Sequence, residues 1–441
     1  MTRKQGTITT RTDRATLLPA VFMVVASGLP SASLAAEGTA SYGVGVGTTD
    51  NIARVPTDED SDTLYIANLY LDLLDEDGRL HSDVDAQLEY VDYASGTFDS
   101  EVTGGLNAYF ELSLVPGRFY WLLRENFGQR QQDPFTALTP ANREHVNFIT
   151  TGPQVDLVNS ARNVVRAQLV YSRVNFEESL SDNERFGGAL QFGREVSRGH
   201  ILSLIGSTES VEFADDAVGT DFDRNQAYIR YEVFGDSNEI EIDVGYTEID
   251  ADGEKFDEIL FRLDWNRQIS TYSSWRLLGG SEISDEGSVF RLFQEELGDL
   301  NVTSNAFNNP NPFLNHYVTT NFSYVRDRSE TSFVLALNQA DFEDNTGSDR
   351  DTIRVGFRLR RDIGDRFFGG LRLEARSTEF TDIDRKTDSF SAVLTLGYRF
   401  GGYTDLSLQY QYTTRNDTDP LNEYDENRVF LRASYTPRWA R

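Results

Sequence analysis

From residue 37 onward, apolar and polar residues alternate one by one through segments of 10 to 14 residues. Between Ser389 and Phe400 one face carries Phe390, Ala392, Leu394, Leu396, Tyr398 and Phe400, and the other carries Ser391, Thr395, Gly397 and Arg399. The next segment sets Leu406, Leu408, Tyr410 and Tyr412 against Asp405, Ser407, Gln409 and Gln411. A third sets Ile240, Ile242, Val244 and Tyr246 against Glu239, Glu241 and Asp243. A period of two with clusters of Gly, Asp, Asn, Ser and Pro at each boundary predicts β-strands with one apolar and one polar face.

The connections fall into two alternating kinds. Short turns are expected at residues 75–78, 116–118, 159–161, 198–199, 235–238, 270–273, 328–330, 364–366 and 401–403. Longer polar loops lie between them, for example at 50–62, 132–145, 214–223, 285–315 and 416–426. Nine turns and ten loops join twenty strands, and merging one hairpin leaves eighteen. Alternation of turn length along an antiparallel meander predicts an all-β fold: a transmembrane antiparallel up-and-down β-barrel of the bacterial outer membrane, 18 to 20 strands, with short periplasmic turns and long external loops. The segment length suits a tilted membrane-spanning strand. A propeller would show a blade-length repeat, and a solenoid would not end its apolar faces in Tyr, Phe and Trp. Twenty strands tilted by about 40° enclose a cylinder roughly 40 Å across, too wide for side chains alone to fill.

Composition changes this picture in three places. The 71 acidic and 41 basic residues give a net charge of -30, which excludes nucleic acid as a partner. A mean hydropathy of -0.46 looks too polar for a membrane protein. Only alternate residues of each strand meet lipid, so the average stays polar. Cysteine is absent and the methionines are Met1 and Met23, so disulfides, thiolate metal sites and a cysteine nucleophile are excluded.

Residues 1–36 have the layout of a secretory signal peptide. Arg3, Lys4, Arg11 and Arg14 form a basic start, residues 17–29 are mostly apolar, and Ser33, Leu34 and Ala35 make a small-x-small cleavage site. Residues 37–441 are then a single barrel in the outer membrane. His81, His145, His200 and His316 are scattered, with no nucleophile context, phosphate loop or histidine metal pair. No enzymatic activity, cofactor or metal is expected.

Selectivity must come from the face opposite the lipid. The alternation places Arg124, Arg166, Arg230, Arg262, Arg354, Arg358, Arg372, Arg376, Arg399 and Arg432 inward, together with Asp83, Asp85, Glu89, Glu232, Glu241, Asp243, Asp264 and Glu374. The wall is expected to have an acidic side on the third and eleventh strands and a basic side on the sixteenth and seventeenth. With three lysines in the whole chain, almost all positive charge is guanidinium, whose fork suits carboxylates and phosphates. The arginines either guide an anionic polysaccharide or a small acidic solute, or pair with acids across strands, as Arg262 would with Glu241 or Asp243. In loop 285–315, Val289, Phe290, Leu292, Phe293, Leu297 and Leu300 sit near helical spacing. This amphipathic stretch either folds into the mouth as a constriction, with Phe290, Phe293 and Leu297 as its apolar side, or packs outside it. The acidic runs Asp58, Glu59, Asp60, Asp62 and Asp215, Asp216, Asp221, Asp223 either recruit divalent cations towards lipopolysaccharide or stay solvated.

The start of the mature chain reads Ser41, Tyr42, Gly43, Val44, Gly45, Val46, Gly47, then Asp50, Asn51, Ile52, Ala53, Arg54, with Ser61 and Asp62 beyond. A glycine-alternating first strand leading into Asp-Asn-x-x-Arg resembles the β-barrel porins of the outer-membrane type 2 family, and Tyr90 and Tyr93 close the third strand in a similar way. The resemblance covers residues 38–95. It implies a passive conduit associated with exopolysaccharide export and, as partners, periplasmic export components besides the lipid and lipopolysaccharide of the outer membrane. The alternatives are a general diffusion porin for small acidic solutes, or a closed surface-interaction barrel. At the other end, Val429, Leu431, Ala433 and Tyr435 alternate through a final strand running to Trp439, similar to the terminal assembly signal of such barrels. The glycines also have a physical reading, since Gly43, Gly45 and Gly47 share one face, where the missing side chains leave space in the lumen or permit sharp coiling of the strand.

Overall fold

A computed structural model describes residues 37–437 apart from 161, 216–218, 252, 298–309 and 343–348. The predicted signal peptide, Asp216 and Trp439 lie outside the described residues. The strands are β1 (Glu37–Thr49), β2 (Asp62–Asp75), β3 (Leu80–Tyr93), β4 (Glu101–Val115), β5 (Phe119–Gln131), β6 (Arg143–Asn159), β7 (Asn163–Phe176), β8 (Asn183–Ser197), β9 (His200–Phe213) and β10 (Phe222–Gly235). They continue as β11 (Asn238–Ala251), β12 (Glu254–Ser270), β13 (Ser273–Ser284), β14 (Phe313–Arg326), β15 (Ser329–Phe342), β16 (Arg350–Ile363), β17 (Phe367–Phe380), β18 (Arg385–Phe400), β19 (Thr404–Asp417) and β20 (Tyr424–Tyr435).

Every strand pairs antiparallel with its neighbours in sequence, and β1 pairs with β20 from Tyr42 opposite Tyr435 to Thr49 opposite Arg428. The sheet is therefore a closed barrel of twenty strands, without an edge to protect. The expected turn alternation holds except at β11–β12 and β17–β18, where two and four residues replace a long loop. The final strand ends at Tyr435, short of Trp439. Gly117 and Gly364 take φ of 71° and 69° in their turns, a region that side chains with a Cβ resist.

The outward face carries an exposed apolar band that includes Val44, Leu190, Leu204, Ile229, Val244, Leu337, Leu394 and Leu431. Tyr42, Trp121, Tyr272 and Phe367 rim it at the turn end, and Tyr65, Tyr171 and Tyr246 lie towards the loop end. Buried apolar clusters sit inside the barrel towards the long-loop end. One joins Ile52, Leu64, Ile66, Val91, Tyr93 and Phe430, and another joins Val211, Phe213, Phe222, Ile249, Ala251 and Ile283.

The three glycines of β1 face inward as expected, but the space they leave is filled. A Cβ on Gly43 would lie 2.2 Å from Asn68 Oδ1, one on Gly45 2.9 Å from the Ile66 side chain, and one on Gly47 2.2 Å from the Phe430 ring. Arg432, opposite Gly45, passes over β1 and β2 to reach Glu89 on β3. Gly47→Val must displace a buried ring and is expected to destabilise the barrel by about 1–3 kcal/mol. A lowered urea midpoint in detergent reports this, whereas an unchanged midpoint means that the close packing of Phe430 has no energetic consequence.

Candidate functional site

The long loop after β13 turns inward. Asp285 follows that strand and caps the helix α1 (Glu286–Leu297), accepting from the Ser288 N–H at 3.1 Å and the Ser288 hydroxyl at 2.6 Å. The same carboxylate takes Arg185 of β8 and Arg224 of β10, each at 2.6 Å. Burial opposes ionisation of Asp285, but the two guanidiniums outweigh it and hold its carboxyl well below the usual carboxylate range. Glu286 pairs with Arg130 of β5, which also holds Glu144 of β6 at 2.6 Å. Phe290 is buried among Val146, Phe148, Val174 and Phe176, while Val289 packs on Phe313, Ala340 and Phe342. Consecutive residues of α1 thus meet β6–β7 and β14–β15, so the helix crosses the mouth from wall to wall.

A second segment crosses from the other side. Residues 132–142 form a turn knit by Asn142, which accepts from the Asp133 N–H at 2.7 Å and donates to the Asp133 carbonyl at 2.8 Å. Phe135 meets the Phe380 ring at 4.8 Å, and Arg415 donates to the Thr136 and Pro134 carbonyls at 2.6 and 3.2 Å. Arg385 and Arg54 donate to the carbonyls of Phe135 and Leu138. Arg54 has φ of 54°, an uncommon conformation for a residue with a Cβ. Its neighbours hold it there: the Asp50 carboxylate accepts from Asn427, Asn51 donates to the Val55 and Asp425 carbonyls, Ile52 is fully buried, and Glu426 pairs with Arg54 at 2.9 Å. The Asp-Asn-x-x-Arg stretch therefore latches two loops across the mouth.

Between these segments and the opposite wall runs a cavity of about 730 Å³. It extends from Arg54, Tyr93 and Tyr424 at the loop end to Arg360, Phe368 and Gly369 near the turn end. Its lining includes ten arginines (Arg54, Arg143, Arg350, Arg358, Arg360, Arg372, Arg376, Arg415, Arg428, Arg432) against four glutamates (Glu89, Glu101, Glu330, Glu374), with neither lysine nor aspartate among the lining residues. A second cavity of about 370 Å³ lies against α1, where Arg224, Arg262 and Arg291 face Glu209, Glu241, Asp264 and Glu282. The first cavity is strongly basic and the second is nearly balanced.

The arginines expected inward are on the inward face, but they do different things. Arg358 and Arg372 stand directly opposite each other in register and both line the large cavity, as do Arg376 and Arg432. Arg354 holds Glu374 at 3.1 Å, with Arg376 at 3.6 Å from the same carboxylate. Arg166 pairs with Asp156 at 2.7 Å, Arg399 with Asp362 at 2.8 Å near the turn end, and Arg124 lies over the Tyr109 ring. Arg230 takes Asp243 and Glu241 at 2.8 Å. That changes the expected partner of Arg262, which binds Glu282 at 2.5 Å and reaches Asp243 only at 3.8 Å. Asp243 of the expected acidic side is thus buried and neutralised. Phe290 is inside the mouth; the side chains of Phe293 and Leu297 lie outside the described residues.

Asp62 and Asp221 differ from the solvated or metal-binding reading. Asp62 accepts from the Thr63 and Ser95 N–H groups and Asp221 from that of Phe213, which fixes loop ends. Among the described residues no group of His, Asp and Glu could hold a metal ion. The sequence reading missed the 132–142 crossing and the arginines Arg130, Arg143, Arg185, Arg224, Arg350, Arg360, Arg415 and Arg428, and it marked Arg54 only as the end of the Asp-Asn-x-x-Arg stretch. Arg350 and Arg360 share the parity of Arg354 and Arg358, and Arg428 that of Arg432, so extending the alternation to the strand ends would have found them.

The closed barrel with an apolar outer band is a transmembrane β-barrel of the outer-membrane type. Solved structures that overlay on the chain include Pseudomonas aeruginosa OpdO, at 12% identity over 91% of this chain and 97% of that one, with a TM-score of 0.35. They also include the FrpB iron transporter of Neisseria meningitidis, at 7% identity over 94% of this chain and 83% of that one, with a TM-score of 0.46. No family model and no curated protein matches the chain. The similarity to type 2 porins thus stands on residues 38–95 alone.

Proposed function

We propose that the barrel is an outer-membrane pore through which small anionic solutes pass along an arginine-lined wall. The observation that carries this reading is the lining of the large cavity, ten arginines to four glutamates in a chain whose net charge is -30. A basic wall in a narrow lumen raises the local concentration of anions, and guanidinium forks bind carboxylate and phosphate reversibly enough for release. Phe290 and α1 narrow one side of the mouth and residues 132–142 the other, which favours small solutes over the exopolysaccharide chain implied by the resemblance. Proteoliposome swelling separates the two charge classes. A carboxylated sugar such as gluconate is expected to enter faster than a neutral sugar of equal size, and equal rates would overturn the proposal.

A further inference from the structure

We propose that the outer rim at the turn end of β14–β16 binds an anionic glycerophospholipid of the inner leaflet, with Arg326, Ser329 and Arg361 holding its phosphate. Arg326 stands opposite Ser329, and Ser329 opposite Arg361, so the three form one row across three strands. They continue the outward parity of Phe322, Phe333 and Phe357, which places the row just below the apolar band. The outer two Cα atoms are about 10 Å apart. A small hydroxyl residue lies between two long guanidinium side chains that can close on one phosphodiester.

Several observations point to a lipid. Both arginines are exposed, and neither has an acidic partner among the described residues. Arg326 has no carboxylate on its β13 side, where its guanidinium lies over the Tyr272 ring at 5.1 Å and would turn towards Ser329 to take a phosphate. Arg361 faces Gly369 across the ladder, which leaves its outer flank open. The neighbouring Arg328 is occupied by Asp365 at 3.0 Å, and Arg366 donates to the Tyr398 hydroxyl at 3.1 Å. Above the row, Phe333, Phe357 and Leu359 offer the apolar surface on which acyl chains lie. Free phosphate would gain the two charges and nothing from that surface, whereas a phospholipid gains both. The far end has the opposite character: every long connection there is net acidic in sequence, and none of the nine short turns carries more than one net negative charge.

The inference assumes strands that span a bilayer with their short turns on the periplasmic side. Its test uses the full chain purified in detergent, with binding followed by native mass spectrometry against phosphatidylglycerol, phosphatidylcholine and inorganic phosphate. Phosphatidylglycerol is expected to bind in preference to phosphatidylcholine, and R326Q/R361Q to weaken it about tenfold or more. R326K/R361K, which keeps the charge and loses the fork, should retain part of the affinity. Equal binding of the two lipids, equal retention of phosphate alone, or an unaltered R326Q/R361Q variant each overturns the site. Should that variant fail to fold, the wild-type comparison of the two lipids decides. A barrel that conducts in a bilayer but does not discriminate the lipids refutes this site and leaves the pore reading intact.

Discussion

Asp285→Ala is expected to release α1 from the mouth, lower the unfolding midpoint and raise single-channel conductance. The side chain is the shared counter-charge of Arg185 and Arg224, which are themselves almost fully enclosed, and it also caps the first turn of the helix. Removing one member of a buried ionic cluster leaves uncompensated charge and costs about 3–5 kcal/mol. Part of that cost can be avoided if the helix lifts away and water reaches the arginines, which is why the change should be seen in conductance as well as in stability. The acid response follows with a definite sign. The folded carboxyl titrates below its unfolded value, so the clamp contributes fully above the unfolded value of about 3.9 and is lost only as pH falls through the depressed folded value. Wild-type conductance is therefore expected to stay at its neutral-pH level down to about pH 4. A transition to larger openings between pH 6 and 5 would contradict the clamp, as would an Asp285→Ala protein with unchanged conductance and midpoint.

Much of this arrangement was legible in the sequence. Strict period two along Phe390–Phe400 and Leu406–Tyr412 specified strands, and the rhythm of short and long connections specified a closed meander, because only that topology joins so many antiparallel neighbours without edges. The inward parity of Arg358, Arg372 and Arg432 followed from the same rule. The alternation could not show which charges meet across the lumen. Pairing is decided by register and reach: Arg262 chooses Glu282 because Arg230 has already occupied Asp243, and Arg432 reaches Glu89 only because Gly43 and Gly45 lie between. Loop 285–315 announced itself through Val289 and Phe290 at helical spacing. Residues 132–142 gave a fainter signal, Pro134, Phe135 and Pro140 in a polar loop, and their destination depends on Arg54, Arg385 and Arg415 from remote parts of the chain. No local pattern encodes a contact of that range.

The arginine wall sets the second large expectation. Replacing Arg358 and Arg372 together by glutamine is expected to lower the anion-to-cation permeability ratio about thirtyfold before screening, since each guanidinium at roughly 8 Å in a water-filled lumen is worth about 0.5 kcal/mol in favour of an anion and as much against a cation. Both stand on the inward face of the large cavity, on adjacent strands and at one level, so a passing ion meets them together. Their removal touches none of the mouth contacts of Asp285 or Arg54, and conductance should change less than selectivity.

The measurement that tests the account most directly is the reversal potential of the wild-type barrel in a planar bilayer under a potassium chloride gradient. Two parts of the protein compete for its sign. The long loops are net acidic and favour cations at the mouth, while the large cavity carries ten arginines to four glutamates. At about 0.1 M salt the screening length is near 10 Å, so the remote loops are damped while arginines roughly 8 Å from a passing ion still act on it. The expected reversal potential has the sign set by chloride, and the anion preference fades towards about 1 M salt, where a screening length near 3 Å reaches the wall as well. Cation preference at about 0.1 M salt would contradict the arginine-lined pore.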